Sequence, residues 1–199
     1  MNIQNLTPGG FASNCYLLTK GNDALLIDCT TDPQALRAAL GERTLHAILL
    51  THGHFDHMLS VAAVKRYFNV PVLLHRGDAE FPCDGTKNAY TVFFGTEGTY
   101  PHADRLLEGT ERLSFGELSL KVLHTPGHTQ GCVCYRIDES LFTGDTLFFG
   151  GYGRTDLFGG DPAALRRSLG SLEQLPKDLR IYPGHGGDAT LQAALDHLY

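Results

Sequence analysis

At 199 residues, with 42% apolar and 19% charged side chains, the chain is long enough to bury one ordinary core and too apolar to stay disordered. A net charge of -6 with no Lys/Arg-rich run argues against nucleic acid as a partner, since neutralising phosphates needs a basic surface. The start, Met1-Asn2-Ile3-Gln4-Asn5-Leu6, lacks a basic-then-apolar leader pattern, no window approaches the ~20 apolar residues of a membrane span, and five cysteines stand in no disulfide spacing. The expectation is a cytoplasmic protein that engages neither membrane nor nucleic acid.

Cys15-Tyr16-Leu17-Leu18 and Ala24-Leu25-Leu26-Ile27-Asp28 are apolar runs around Lys20-Gly21-Asn22-Asp23, the pattern of a β-hairpin. A short helix is expected over 33–40, with Asp32 as N-cap and Pro33 at the first helical position. Ala47-Ile48-Leu49-Leu50 reads as a strand that runs into Thr51-His52-Gly53-His54-Phe55-Asp56-His57. Imidazoles and a carboxylate crowded in this way bury badly unless a cation shares them, so a metal centre is the first hypothesis. The two-residue spacing of His52 and His54 belongs to an extended or turning segment, not to a helix that presents histidines four apart. From 56 to 68, Leu59, Ala62, Ala63 and Tyr67 fall at helical spacing, which places Asp56 near a helix N-cap.

A short β run over 70–74 ends at His75. Between Arg76 and Arg112 the periodicity fades, and Phe81, Tyr90, Phe93, Phe94 and Tyr100 are scattered among Gly, Thr and Asp. Such a stretch is either a lid or binding loop, or a source of core aromatics. Strands follow over 118–123, 132–137 and 141–143, then a helix from 162 to about 175, a strand over 179–182 and a last helix over 189–198. Cys132 and Cys134 alternate on one strand face and read as small core residues. His128, Asp145 and His185 each follow a strand at a glycine-punctuated turn, and strand ends converge on one edge of a sheet, so they read as one site with the His-rich segment. Strands, helix and strand occur twice, which predicts an α/β architecture of two stacked halves, with mixed sheets face to face and helices outside.

Thr-His-Gly-His-Phe-Asp-His at 51–57, His-Thr-Pro-Gly-His-Thr at 124–129, Gly-Asp-Thr-Leu-Phe at 144–148, Gly-Gly-Tyr-Gly-Arg-Thr-Asp at 150–156 and Tyr-Pro-Gly-His-Gly at 182–186 resemble the metallo-β-lactamase fold superfamily, in its order. Within it, the chain is similar to short relatives of glyoxalase II, the hydroxyacylglutathione hydrolases. The resemblance implies an αββα sandwich forming a single domain over 1–199, without the C-terminal helical domain through which classical glyoxalase II enzymes bind glutathione. It implies two divalent metal ions, zinc first, with iron or manganese also compatible with His/Asp ligands. His52, His54 and His128 would form the first site, Asp56, His57 and His185 the second, and Asp145 would bridge them. Such a pair lowers the pKa of a bridging water from ~15.7 towards ~7. The implied reaction is hydroxide attack on a small acyl-thioester of the S-lactoylglutathione kind, with Asp56 and Asp145 as catalytic carboxylates.

The resemblance also points to Asp28 as an orienter of the His-rich loop; a turn-forming Asp is the other reading. It places Cys29 near the metals. Arg154 is either a contact for a glutathione carboxylate, as the similar persulfide dioxygenases imply, or a pin of its own loop to Asp156 or Asp161. Gly186-Gly187 stands where glutathione-using relatives have a tyrosine. Three alternatives remain at this level: a mononuclear-iron persulfide dioxygenase using His52, His128 and Asp145, a lactone or ester hydrolase, and a metal-binding domain without catalysis. His46, His75, His102, His124 and His197 fall outside the motifs and are read as structural or exposed.

Overall fold

Alternation along the strands sorts apolar side chains into three layers of core. The computed structural model describes residues 1–198. Its first half contains β1 (Asn2–Asn5), β2 (Tyr16–Lys20), β3 (Asp23–Ile27), α1 (Pro33–Leu40), β4 (Thr44–Leu49), a 3-10 turn (Phe55–His57), α2 (Val61–Phe68) and β5 (Val72–His75). Two more 3-10 turns (Arg76–Asp78 and Phe81–Cys83), α3 (Tyr90–Phe94) and β6 (Arg105–Leu107) follow. The second half holds β7 (Arg112–Phe115), β8 (Leu118–His124), β9 (Val133–Ile137), β10 (Ser140–Gly144), α4 (Pro162–Leu172), β11 (Arg180–Pro183), β12 (Ala189–Thr190) and α5 (Leu191–Asp196).

Each half forms its own six-stranded mixed sheet, in the order β1-β2-β3-β4-β5-β6 and β12-β11-β10-β9-β8-β7. In the first sheet β1, β2 and β3 are antiparallel neighbours, and β3 to β6 run parallel. In the second, β10 and β11 are the parallel pair. Leu25 and Ile27 of β3 and Ala47 and Leu49 of β4 face Val133, Tyr135 and Ile137 of β9 between the sheets. The alternate residues Ala24, Leu26 and Ile48 pack under Leu36, Leu40, Val61 and Val64 of α1 and α2. Across the molecule, Cys134, Leu141 and Ile181 meet Leu165, Leu169 and Leu195 of α4 and α5. The result is the αββα sandwich. Burial of each such aliphatic side chain contributes about 1.5–3 kcal/mol. Two buried tyrosines tie the sheets reciprocally: Tyr16 donates to the Pro183 carbonyl at 2.8 Å and Tyr135 to the Leu50 carbonyl at 2.7 Å.

The hairpin and α1 lie where the sequence places them, and the Asp32 carboxylate accepts from the Gln34 and Ala35 amides. The helix expected from Asp56 instead begins at Val61. Its physical cause is competition for the backbone: the His57 carbonyl accepts from the Cys29 amide and the Ser60 amide donates to the Cys29 carbonyl, both at 2.9 Å. Residues 55–57 are thereby held in a tight turn, and Asp56 is not a helix cap. The final helix is shorter than expected, because Ala189 and Thr190 pair with β11 before the Thr190 hydroxyl caps α5. The 76–112 stretch serves both predicted purposes: Phe81 is buried, while Phe93 and Phe94 of α3 are exposed. Among the described residues no helix is long and apolar enough to cross a membrane.

Candidate metal centre

The segments that follow β3, β4, β8, β10 and β11 converge at one edge of the sandwich and carry every residue that the sequence singles out as a ligand. His52 Nε2 lies 3.1 Å from His54 Nδ1, which lies 2.8 Å from His128 Nε2. His57 Nε2 lies 3.3 Å from Asp145 Oδ1, and His185 Nε2 lies 3.1 Å from Asp56 Oδ2. Asp145 also turns Oδ2 to within 3.5 Å of His128 and 3.7 Å of His185, so its two oxygens reach both clusters. Three overlapping sets result, His52/His54/His128, His52/His57/Asp145 and Asp56/His57/His185, each with its donor atoms within 4.8 Å of one another.

The outer nitrogens explain why the inner ones present lone pairs. His57 Nδ1 donates to Asp28 at 2.7 Å and His128 Nδ1 donates to the Arg154 carbonyl at 2.7 Å. His52 Nδ1 faces the Thr51 hydroxyl at 3.1 Å, and that hydroxyl in turn reaches the Asp28 carboxylate at 2.9 Å. Each contact places the ring proton on the outside and frees the opposite nitrogen for a cation. Gly184 permits His185 to close in: a Cβ on Gly184 would lie 2.2 Å from Asp145 Oδ1 and 2.6 Å from His57 Cε1.

Electrostatics and hydrogen bonding agree that the centre fits a metal. Towards the centre, His57 Nε2 and Asp145 Oδ1 are buried without a hydrogen-bond partner. Such orphaned polar atoms are costly unless something else satisfies them. Burial, reinforced by the neighbouring His128, pushes His54 down to about 3, and burial with the His57, His128 and His54 rings holds His52 well below its ordinary value. These rings stay neutral, as metal ligands must. Burial also opposes charge on His57, yet the carboxylates of Asp28, Asp145 and Asp56 outweigh it and raise that imidazole well above its usual range. For Asp145, burial is outweighed by His57, His128 and His185, which keep it ionised. The pocket therefore calls for positive charge beside its carboxylates, which an imidazolium or a divalent cation can supply.

A cavity of about 280 Å³ opens above this floor. Its walls are Phe11, Phe55, Phe93 and Leu157, with Arg154 also lining it. The Arg154 guanidinium makes a two-pronged pair with Asp156, at 2.6 and 2.7 Å, whereas Asp161 caps α4. Asp28 combines both expected roles, with a left-handed φ of 55° at its turn and a carboxylate on His57 and the Thr51 amide. Cys29 meets the site only through its backbone; its thiol is outside the converging sets. Phe11, Leu157 and Asp78 carry no signal in the sequence: a lone aromatic after two glycines, as Phe11 is, has no periodicity, and no ligand spacing marks Asp78.

The chain is 33% identical to the probable metallo-hydrolase YqgX of Bacillus subtilis, over 98% of this chain and 95% of that protein. It is 41% identical to a hydroxyacylglutathione hydrolase of Anaeromyxobacter dehalogenans, over 85% of this chain and 60% of that one. Among solved structures, the B3 metallo-beta-lactamase BLEG-1 superposes with a TM-score of 0.92 at 36% identity, covering 98% of this chain and 97% of that one. TTHA1623 in a di-iron-bound form gives 0.86 at 37% identity, covering 98% of each chain. The sequence matches the family description over residues 8–185, a span that holds all seven converging residues, and the chain belongs to the metallo-beta-lactamase superfamily.

Proposed function

We propose that this superfamily metallo-hydrolase binds two divalent ions and cleaves an acyl thioester of the S-lactoylglutathione kind. The observation that carries the reading is the convergence of His52, His54, His57, His128 and His185 with Asp56 and Asp145 at the floor of an apolar-walled cavity. When bound, the ions supply the nucleophile by acidifying water and polarise the acyl carbonyl. Asp145 reaches both clusters and fixes their separation. Asp56, with its Oδ2 towards His185 and its side chain partly open to the cavity, is placed to accept the proton that water gives up in becoming the nucleophile. The thiol leaving group, with a pKa near ~8.5, departs as thiolate and needs no general acid. Phe11, Phe93 and Leu157 offer apolar contacts for the acyl and thiol arms, and likeness to the Anaeromyxobacter hydrolase supports the thioester.

A mononuclear site of His52, His128 and Asp145 accounts for fewer of the observations, because it leaves the buried His57 Nε2 unsatisfied. Likeness to BLEG-1 makes ring opening of a lactam the second reading, since the same nucleophile serves it. The test is steady-state hydrolysis by metal-loaded protein of S-lactoylglutathione, a simple acyl thioester, a lactone and a chromogenic β-lactam, read by released thiol for the thioesters, by released acid for the lactone and by the chromophore for the lactam. A kcat/KM for thioesters at least tenfold above the others supports the proposal. Preference for the lactam or lactone, or oxygen consumption with a persulfide and no hydrolysis, overturns it.

A further inference from the structure

Asp78 lies outside the seven ligand positions and does not line the cavity, yet it is fully buried at the end of the 3-10 turn after β5. Its Oδ2 accepts from the Gly53 amide at 2.9 Å and from the Thr129 hydroxyl at 2.6 Å, and its Oδ1 accepts from the Gly131 amide at 2.8 Å. Gly53 separates His52 from His54, and Thr129 follows His128 directly. One carboxylate thus joins the two loops that bring His54 Nδ1 to 3.1 Å from His52 Nε2 and 2.8 Å from His128 Nε2. The loops approach it with bare backbone: a Cβ on Gly131 would lie 2.5 Å from Asp78 Cγ. Burial works against the charge and pushes Asp78 up to about 6, while the three donors pull the other way. A carboxylate kept at that cost, with its acceptors spent on two loop amides and one hydroxyl, is placed to fix the loops.

We infer that Asp78 is a positioning residue of the metal centre, which clamps the 52–54 segment to the 128–131 segment and so sets the affinity of the ion held by His52, His54 and His128. Asp28, through His57, does the corresponding work for the other ion. Asp28 also reaches His52 through the Thr51 hydroxyl; what sets Asp78 apart is that it joins the 52–54 segment to the 128–131 segment. Asparagine cannot replace Asp78, because its amide would present a donor where a backbone N–H already donates. The inference rests on the two-ion reading but not on any substrate.

The experiment titrates cobalt(II) into chelator-stripped protein, followed by calorimetry, in two backgrounds. His185→Ala weakens the second site and leaves the first to be measured; His128→Ala does the reverse. Asp78→Asn is expected to weaken cobalt binding tenfold or more in the His185→Ala background, the scale at which outer partners of metal ligands act, and by less than about threefold in the other. Thr129→Val removes only one of the three donors and is expected to show the same asymmetry more mildly, with a fold checked by circular dichroism, so the result does not depend on Asp78→Asn folding. Equal weakening in both backgrounds, or none in either, overturns the inference alone. Wild-type protein that binds no cobalt removes the two-ion reading and this inference with it.

Discussion

The carboxylate of Asp28 lies 2.7 Å from His57 Nδ1, and both side chains are shut off from solvent. Because that oxygen accepts the Nδ1 proton, a His57 ring that gives up its second proton turns its lone pair on Nε2 towards Asp145, where a cation can take it. Asp28→Asn reverses the polarity of the contact. We expect metal binding at the Asp56/His57/His185 site to weaken by about 10–100-fold, read as loss of one ion in metal titration while the far-ultraviolet dichroism is retained.

Asp145→Ala removes the one carboxylate that reaches both clusters. Hydrolysis is expected to vanish and metal content to fall, with the fold intact, since the side chain contributes nothing to the apolar layers. Elemental analysis beside turnover measurement checks this; unchanged turnover would remove Asp145 from the mechanism.

The pH dependence of stability is expected to differ in kind between metal-free and metal-loaded protein. In the metal-free protein His57 is raised by Asp28, Asp145 and Asp56 against the effect of burial, and His185 is raised first by its hydrogen bond to Asp56. A raised imidazole stabilises the fold fully below its unfolded pKa of ~6.5 and loses that contribution as pH climbs through the folded value. From about pH 6.5 upward the Tm of metal-free protein should therefore fall. Metal-loaded protein should hold or gain Tm over the same range, because deprotonation favours the ligands. Parallel melting curves that move together would contradict the charge balance assigned to the centre.

Arg154 is neutralised by Asp156 on an exposed edge of the cavity. Exposed pairs of this kind are worth only about 0–1 kcal/mol, so an anionic substrate can compete for the guanidinium. Asp156→Ala should lower KM for an anionic thioester by up to about fivefold and leave a neutral ester unchanged. Arg154→Ala should raise KM for the anionic substrate alone. Equal effects on both substrates would make the arginine a loop pin.

The convergence of the seven residues was legible because chemistry forces it: five histidines and two aspartates at strand ends have no comfortable apolar alternative. The layers were legible because β3 and β9 send alternate residues to opposite faces. What escaped was decided by long-range backbone competition. Cys29 takes the hydrogen bonds that would have extended α2 back to Asp56, and nothing local to 56–60 records this. Asp78 and Thr51 escaped for a related reason: they act on ligands distant in sequence or through a neighbour's ring. Short edge strands such as β1 and β6 have too few apolar residues to announce themselves.

The two sheets share no strand: residues up to β6 build one and residues from β7 onward build the other. Each metal site nevertheless draws on both, pairing His52 and His54 with His128 in one case and Asp56 and His57 with His185 in the other. Bound ions would therefore act as rivets between two halves of one chain. A protein nicked in the 108–111 connection should reassemble from its fragments far more readily with metal than with chelator, so that the supply of ions governs cohesion as well as chemistry.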